Sequence, residues 1–318
     1  ATHGIQPSSS FAFAGWVARG AECGGRCGQE SAFILCQHLA RQERPFWVCG
    51  GIGPHTAAAC RAAGAAGVIL DDALLLLRES PLDPRQRALL AQVGSQDTTV
   101  VHQRRVVARP GFAAARRLDG RPAASDEPAP VGWGDPTQEA WPLGQSAGWA
   151  AAFAQRYGTV GRTIQAIVQA SAEHLPAAVA SAPLAPAAPL AQFHGTRYPI
   201  VQGPMTRVSD RAEFAAAVAE SGALPLLALA QLRGEETAQL LAQTKAVLAD
   251  RPWGVGILGF LPPALRDEQM AAIAAVQPPF ALIAGGRPDQ AAPLEAMGIP
   301  TYLHVPTPEI LRIYLEQG

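Results

Sequence analysis

Two glycine clusters in the first sixty residues carry the strongest chemical signal in this chain. Gly24 and Gly25 lie in "AECGGRCG" (21–28); Gly50, Gly51 and Gly53 lie in "CGGIGPHTAAACRAA" (49–63). Glycine lets backbone N–H groups approach a ligand closely, and a helix starting at Pro54 would add a field that favours an anion. Together the clusters read as two sides of one phosphate cradle; either alone reads equally well as a tight strand-to-helix turn. Arg26 follows the first cluster and stays protonated, so it suits an anion rather than proton transfer. His304 ends a short apolar run (299–304) and is a candidate acid or base, against the plainer reading of a histidine satisfied by local backbone. Asp71 and Asp72 follow another apolar run, and at least one is expected to cap the next helix. All five cysteines fall within the first sixty residues. An odd number without a signal peptide favours reduced cytoplasmic thiols, and the absence of paired CxxC knuckles argues against zinc.

Short, wholly apolar strands punctuated by Gly and Pro must position these residues. In the C-terminal part the runs are 198–201, 224–229, 254–258, 280–284 and 299–304, each followed by an Ala-rich amphipathic segment. Asp210 with Glu213 reads as a capping box, Gly222 as a helix stop, and Thr307–Pro308 as a helix start. The N-terminal part repeats the grammar with runs at 13–18, 46–49 and 67–70. Continuous apolar strands separated by helices indicate a parallel sheet covered on both faces. Three early strands and five late ones suit a (β/α)8 TIM-type barrel; a doubly wound sheet accommodates the same order. Between them, 98–108 reads as a hairpin, 119–137 as an exposed linker, 146–175 as a helical pair, and 176–191 as an Ala/Pro linker. Three regions follow: a half-barrel over 1–110, a linker with a mostly helical insertion over 111–195, and a second half-barrel over 196–318.

A net charge of −1 with only 16% charged residues argues against a nucleic-acid surface. No run of eighteen apolar residues suggests a membrane span, so a cytoplasmic protein is expected.

"YPIVQGPMTRVSD", "AECGGRCG" and "CGGIGPHTAAACRAAGAAGVILDD" together resemble the nitronate monooxygenase (2-nitropropane dioxygenase) family, which includes FMN-dependent enoyl reductases. "RPWGVGILGF", "PPFALIAGGRPDQ", "GIPTYLHVP" and "WPLGQSAGWAAAFAQRYGTVGRTIQAI" resemble the copies embedded in bacterial type I polyketide and polyunsaturated fatty acid synthases. The resemblance implies a (β/α)8 barrel binding FMN. It implies that Gln202, Gly203, Pro204 and Met205 line the flavin ring, and that Gly24, Gly25, Gly50, Gly51 and Gly53 hold the phosphate. It also places strands six to eight first and strands one to five last, as in a slice of two tandem copies whose parts would close within this chain as a circularly permuted barrel. Where many members carry histidine after the sixth-strand Gly pair, this chain has Arg26. The implied activity is nitronate oxidation or enoyl-thioester reduction on a small or carrier-bound acyl substrate. An NAD(P)H donor and the other modules of the same synthase are the implied partners. The alternative is a degenerate, non-catalytic barrel serving as a structural module.

Overall fold

The computed structural model describes residues 13–115 and 130–317. Much of the expected 119–137 linker lies outside them. The chain forms two compact units, residues 1–180 and 181–318.

In the first unit the strands expected at 13–18, 46–49 and 67–70 appear as β1 (Trp16–Arg19), β3 (Phe46–Cys49) and β4 (Gly67–Ile69). They form a parallel sheet in the order β1-β3-β4, with Trp16 opposite Phe46 and Trp47 opposite Gly67. Helix α1 (Ala32–Leu39) starts where Ser31 Oγ and the Glu22 carboxylate accept the N–H groups of Ile34 and Ala32. Helix α2 (Pro54–Ala62) starts at Gly53 with proline in its first turn. Val48, Phe46 and Ile52 pack with Cys36 and Cys60 of the two helices.

A second, antiparallel sheet has the order β2-β6-β5, from β2 (Gly25–Arg26), β5 (Thr98–Val101) and β6 (Arg104–Val107). The hairpin expected at 98–108 is therefore present. Its turn residues His102 and Gln103 both have positive φ, 46° and 60°, the handedness that matches strand twist. Helix α3 (Pro84–Leu90) carries a reciprocal cap between Asp83 and Gln86. The chain between 130 and 149 is mostly irregular but well anchored: Trp141 is fully buried among Phe112, Trp133 and Leu143. Helices α4 (Ala150–Arg156) and α5 (Val160–Ser181) follow. The expected linker at 176–191 is partly helical: alanine-rich sequence carries α5 through Pro176 to Ser181, residues 182–188 are irregular, and α6 (Pro189–His194) follows.

That unit holds one five-stranded sheet in the order β11-β10-β9-β8-β7, every pair parallel. Its strands are β7 (Val201–Gln202), β8 (Leu224–Ala228), β9 (Gly254–Leu258), β10 (Phe280–Ala284) and β11 (Thr301–Leu303). Between and after them come α7 (Ala212–Glu220), α8 (Gly234–Leu248), α9 (Pro263–Val276), α10 (Pro288–Ala296) and α11 (Pro308–Glu316). Leu227, Val255 and Ile283 from the strands meet Leu241, Ile273 and Leu294 from the helices in its core. Of the run at 198–201 only Val201, with its neighbour Gln202, counts as β7, although Tyr198 N donates to Gly222 O and Leu224 N to Ile200 O just before it. Asp210 does not cap α7. Ser209 closes the preceding turn through Met205 N (2.7 Å), and the chain enters the helix extended at Arg211. Thr307 does cap α11, accepting from Ile310 N.

All described strand pairs lie within one unit or the other. What forms in the second unit is a parallel βα half-barrel. No helix among the described residues is long and apolar enough to cross a membrane.

His194 is buried in the second unit, its Nε2 2.6 Å from Tyr302 Oη and its Nδ1 without a partner. Burial lowers its pKa. The unfolded chain therefore binds a proton first, and the stability this group contributes is present above about pH 6.5 and lost as pH falls below it. Denaturant midpoints of the second unit are expected to drop between pH 8 and 5.5. His194→Gln, which keeps a partner for Tyr302, should flatten that profile.

Candidate functional site

In the first unit the turn after β3 has the backbone that glycine allows. Gly50 has φ 105° and Gly51 φ 65°. Thr56, one turn into α2, holds this corner: its Oγ1 accepts from Gly53 N at 2.7 Å and donates toward Gly51 O at 2.9 Å. Beside the corner is a cavity of ≈ 400 Å³, within the roughly 300–1,000 Å³ range of small-molecule sites. Gly50, Gly51, Thr56, Glu22, Gln145 and Trp149 wall one end; Phe33, Cys36 and Cys60 belong to its apolar lining. Burial raises both thiols, Cys60 to about 12.

Gly24 and Gly25 do not border that cavity. A Cβ on Gly24 would lie 2.3 Å from Pro142 O and 2.7 Å from Gly144 N, so the missing side chain lets residues 142–144 approach. The Gly24 carbonyl accepts from Arg19 Nη2 at 2.8 Å, and Arg105 Nε donates to Ala21 O at 2.5 Å. Asp72, 8% exposed, does not cap a helix. Its Oδ2 accepts from Gly144 N at 2.6 Å, and its pKa is pushed up to about 7 by burial and by the neighbouring Asp71. Asp71 stands at the N-cap position of a 3-10 turn (Asp72–Leu74), but its carboxylate makes no capping bond: it accepts from Cys49 Sγ (3.3 Å) and Ser146 Oγ (3.1 Å). The Cys49 thiol is held above the ordinary range, chiefly by its hydrogen bond with Cys23 and by burial; the same bond lowers Cys23. Arg26 is exposed on β2, opposite Arg104.

The remaining sequence candidates lie at the C-terminal strand ends of the second unit. The Gln202 amide is committed to backbone: it donates to Gly203 O and accepts from Leu226 N (3.3 Å). Pro204 lies over β9, where a Cβ on Gly256 would come within 2.2 Å of its ring. Met205 and His304 are exposed, and the His304 N–H donates to Ile283 O at 3.0 Å. Gly256→Ala is expected to push the Gly203–Met205 turn away and destabilise this unit by about 1–3 kcal/mol. Urea denaturation of the single variant checks this.

Sequence reading passed over Arg19, Arg105, Thr56, Gly144, Ser146 and Trp149. Gly144 and Ser146 reach their aspartates from 72 and 75 residues away, so no local pattern announces them.

Comparison with known proteins adds the following. No curated protein matches the chain. Among solved structures, FabK from Thermotoga maritima is 24% identical with a TM-score of 0.45, covering 52% of this chain and 56% of that one. A nitroalkane oxidase from Streptomyces ansochromogenes is 22% identical with a TM-score of 0.37, covering 40% and 46%. The chain thus spans about half the length of each. The enoyl reductase domain of MlnA, from the macrolactin cluster of Bacillus amyloliquefaciens, is 21% identical with a TM-score of 0.27, covering 30% and 22%. Residues 187–279, which run from just before α6 to the threshold of β10, match the family model for nitronate monooxygenase.

Proposed function

We propose that this chain is part of an FMN-dependent oxidoreductase of the nitronate monooxygenase or enoyl-thioester reductase type, a module of a polyketide- or fatty-acid-type synthase. The observation that carries the reading is the family match over residues 187–279, which takes in the "QGPM" turn at the end of β7. The 1–110 and 196–318 segments are read as the end of one family copy and the start of the next. In the first unit Gly50 and Gly51 suit a phosphate: both have positive φ, and they border a cavity beside the first turn of α2. Gly53 closes that corner through Thr56, whereas Gly24 and Gly25 face the 142–144 segment. In the second unit Gln202 holds the turn that presents Gly203, Pro204 and Met205, with His304 on the same strand-end rim.

The flavin, when bound, supplies the electron chemistry, and the protein supplies binding, orientation and exclusion of water. His304 is the group on this chain suited to hold or move a proton, and Arg26 is suited to an anionic substrate group.

Titration of the purified chain with FMN, followed by visible absorption and flavin fluorescence, tests the reading. Saturable binding is expected, weakened by Gly51→Val if the first unit holds the phosphate and by Gly256→Ala if the second presents the ring. Anaerobic NAD(P)H, then an enoyl thioester or an alkyl nitronate with oxygen, separates the two chemistries. Failure to take up FMN at tens of micromolar overturns the proposal. One observation favours a second reading, a non-catalytic module: Arg26 occupies a paired strand on the surface where the resembled family has histidine. Arg26→His that leaves flavin reduction unchanged counts against Arg26 being the lesion.

A further inference from the structure

We infer that Cys23, Cys49 and Asp71 form a binding site for a thiophilic divalent cation, zinc being the natural occupant. The sequence argued against zinc because its three ligands come from three separate segments: the loop after β1, the end of β3 and the second residue after β4. Folding brings them together. The two Sγ atoms and a carboxylate oxygen of Asp71 all lie within 4.8 Å of one another. Tetrahedral zinc, with bonds of about 2.0–2.3 Å, needs such atoms roughly 3.5–3.8 Å apart, a movement of an ångström or less. Cys49 Sγ and Asp71 Oδ2 already stand at 3.3 Å.

Three surrounding features fit a metal better than a chance meeting of side chains. Both cysteines are buried, 0% and 1% exposed, and unbridged. Ser146 Oγ donates to Asp71 Oδ1 at 3.1 Å, leaving Oδ2 directed at the sulfur, as an outer partner orients a ligating carboxylate. Arg19 Nη1 lies 3.9 Å from Cys49 Sγ. A divalent cation would balance the two thiolates, and the Arg19 guanidinium, exposed at the edge of the cluster, would offset the Asp71 carboxylate. On binding, two S–H bonds break, two S–metal bonds form, and two protons leave to solvent.

There is also a way in. Gly50 borders the ≈ 400 Å³ cavity, and a Cβ there would stand 2.8 Å from Cys23 Sγ. Gly50 thus touches both the cavity and the ligand cluster. With three protein ligands, the fourth position falls to water or to an anion from the cavity.

The test is cobalt titration of the full chain, reduced, metal-free and without flavin, so that its outcome is independent of the flavin reading. One equivalent of Co2+ is expected to bind with thiolate-to-cobalt charge-transfer absorption, and Zn2+ should displace it. Cys23→Ser or Cys49→Ser should halve that absorption and weaken binding at least tenfold, and Ser146→Ala should weaken it about tenfold. Cys27→Ser and Cys36→Ser should leave the spectrum unchanged. Far-UV circular dichroism identifies any variant that has not folded, and the unmodified chain decides the matter without variants. Five free thiols with no charge-transfer band overturn the proposal. So does a band that survives Cys23→Ser combined with Cys49→Ser, or one that Cys36→Ser abolishes.

Discussion

Trp141→Ala lowers the stability of the first unit by about 3–5 kcal/mol, the range for truncating a fully buried large aromatic. The ring is 0% exposed, with centroids 5.3 Å from Phe112 and 5.4 Å from Trp133. Its Nε1 donates to Gly134 O at 2.9 Å, so truncation leaves that carbonyl unpaired beside a void. The backbone at Trp141 also accepts from Val107 N, linking the 130–149 segment to β6. Loosening here reaches Gly144, Gln145 and Trp149, and with them one wall of the cavity. Urea titration of the unmodified and variant chains measures the loss. Trp141→Phe, which keeps most of the volume, should recover more than half of it.

Gly24→Ala is the second large effect, and its cause is contact rather than conformation. The new Cβ would sit 2.3 Å from Pro142 O, 2.7 Å from Gly144 N and 2.9 Å from Asp72 Oδ2. The first two are backbone atoms and cannot swing away, so the two segments must separate. A loss at or above the upper end of about 1–3 kcal/mol follows, together with a weakened Gly144–Asp72 hydrogen bond. Gly144→Ala meets the same junction from the other side, its Cβ 2.3 Å from Glu22 O and 2.6 Å from Gly24 N. Each change opens the gap the other needs, so the double variant is expected to lose less than the sum of the two. Strict additivity in a double-mutant cycle would show that they do not share one contact.

These two sites show where sequence reading stops. The runs at 46–49, 254–258 and 280–284 were legible to the residue, because unbroken apolar strands flanked by Gly, Pro and helix caps have few other uses. The hairpin expected at 98–108 is present as β5 and β6. Trp141 was not, since nothing near it in sequence has a strand or helix period. Asp72 looked like a cap because the residues that bury it come from the far side of the 130–149 segment. The glycines were recognised as special, but position alone could not tell a wall, as at Gly50, from a packing contact, as at Gly24. Gln202 was noticed for a ligand-facing role, and its amide turns out to brace the backbone of β8. The metal ligands escaped for the same reason as Asp72: their spacing in sequence bears no relation to their spacing in space.

The long reach of these contacts bears on how the first unit is made. Arg105 grips Ala21 across 84 residues, and Ser146 reaches Asp71 across 75. A chain synthesised from its N-terminus at about 5–20 residues per second exposes the Gly50–Gly53 corner several seconds before Gln145 and Trp149 exist to wall it. Loop closures of this length slow folding. The parallel strands β1, β3 and β4 can therefore gather early while the cavity stays open on one side until the 130–149 segment arrives, which makes that segment the closing step of synthesis for this site.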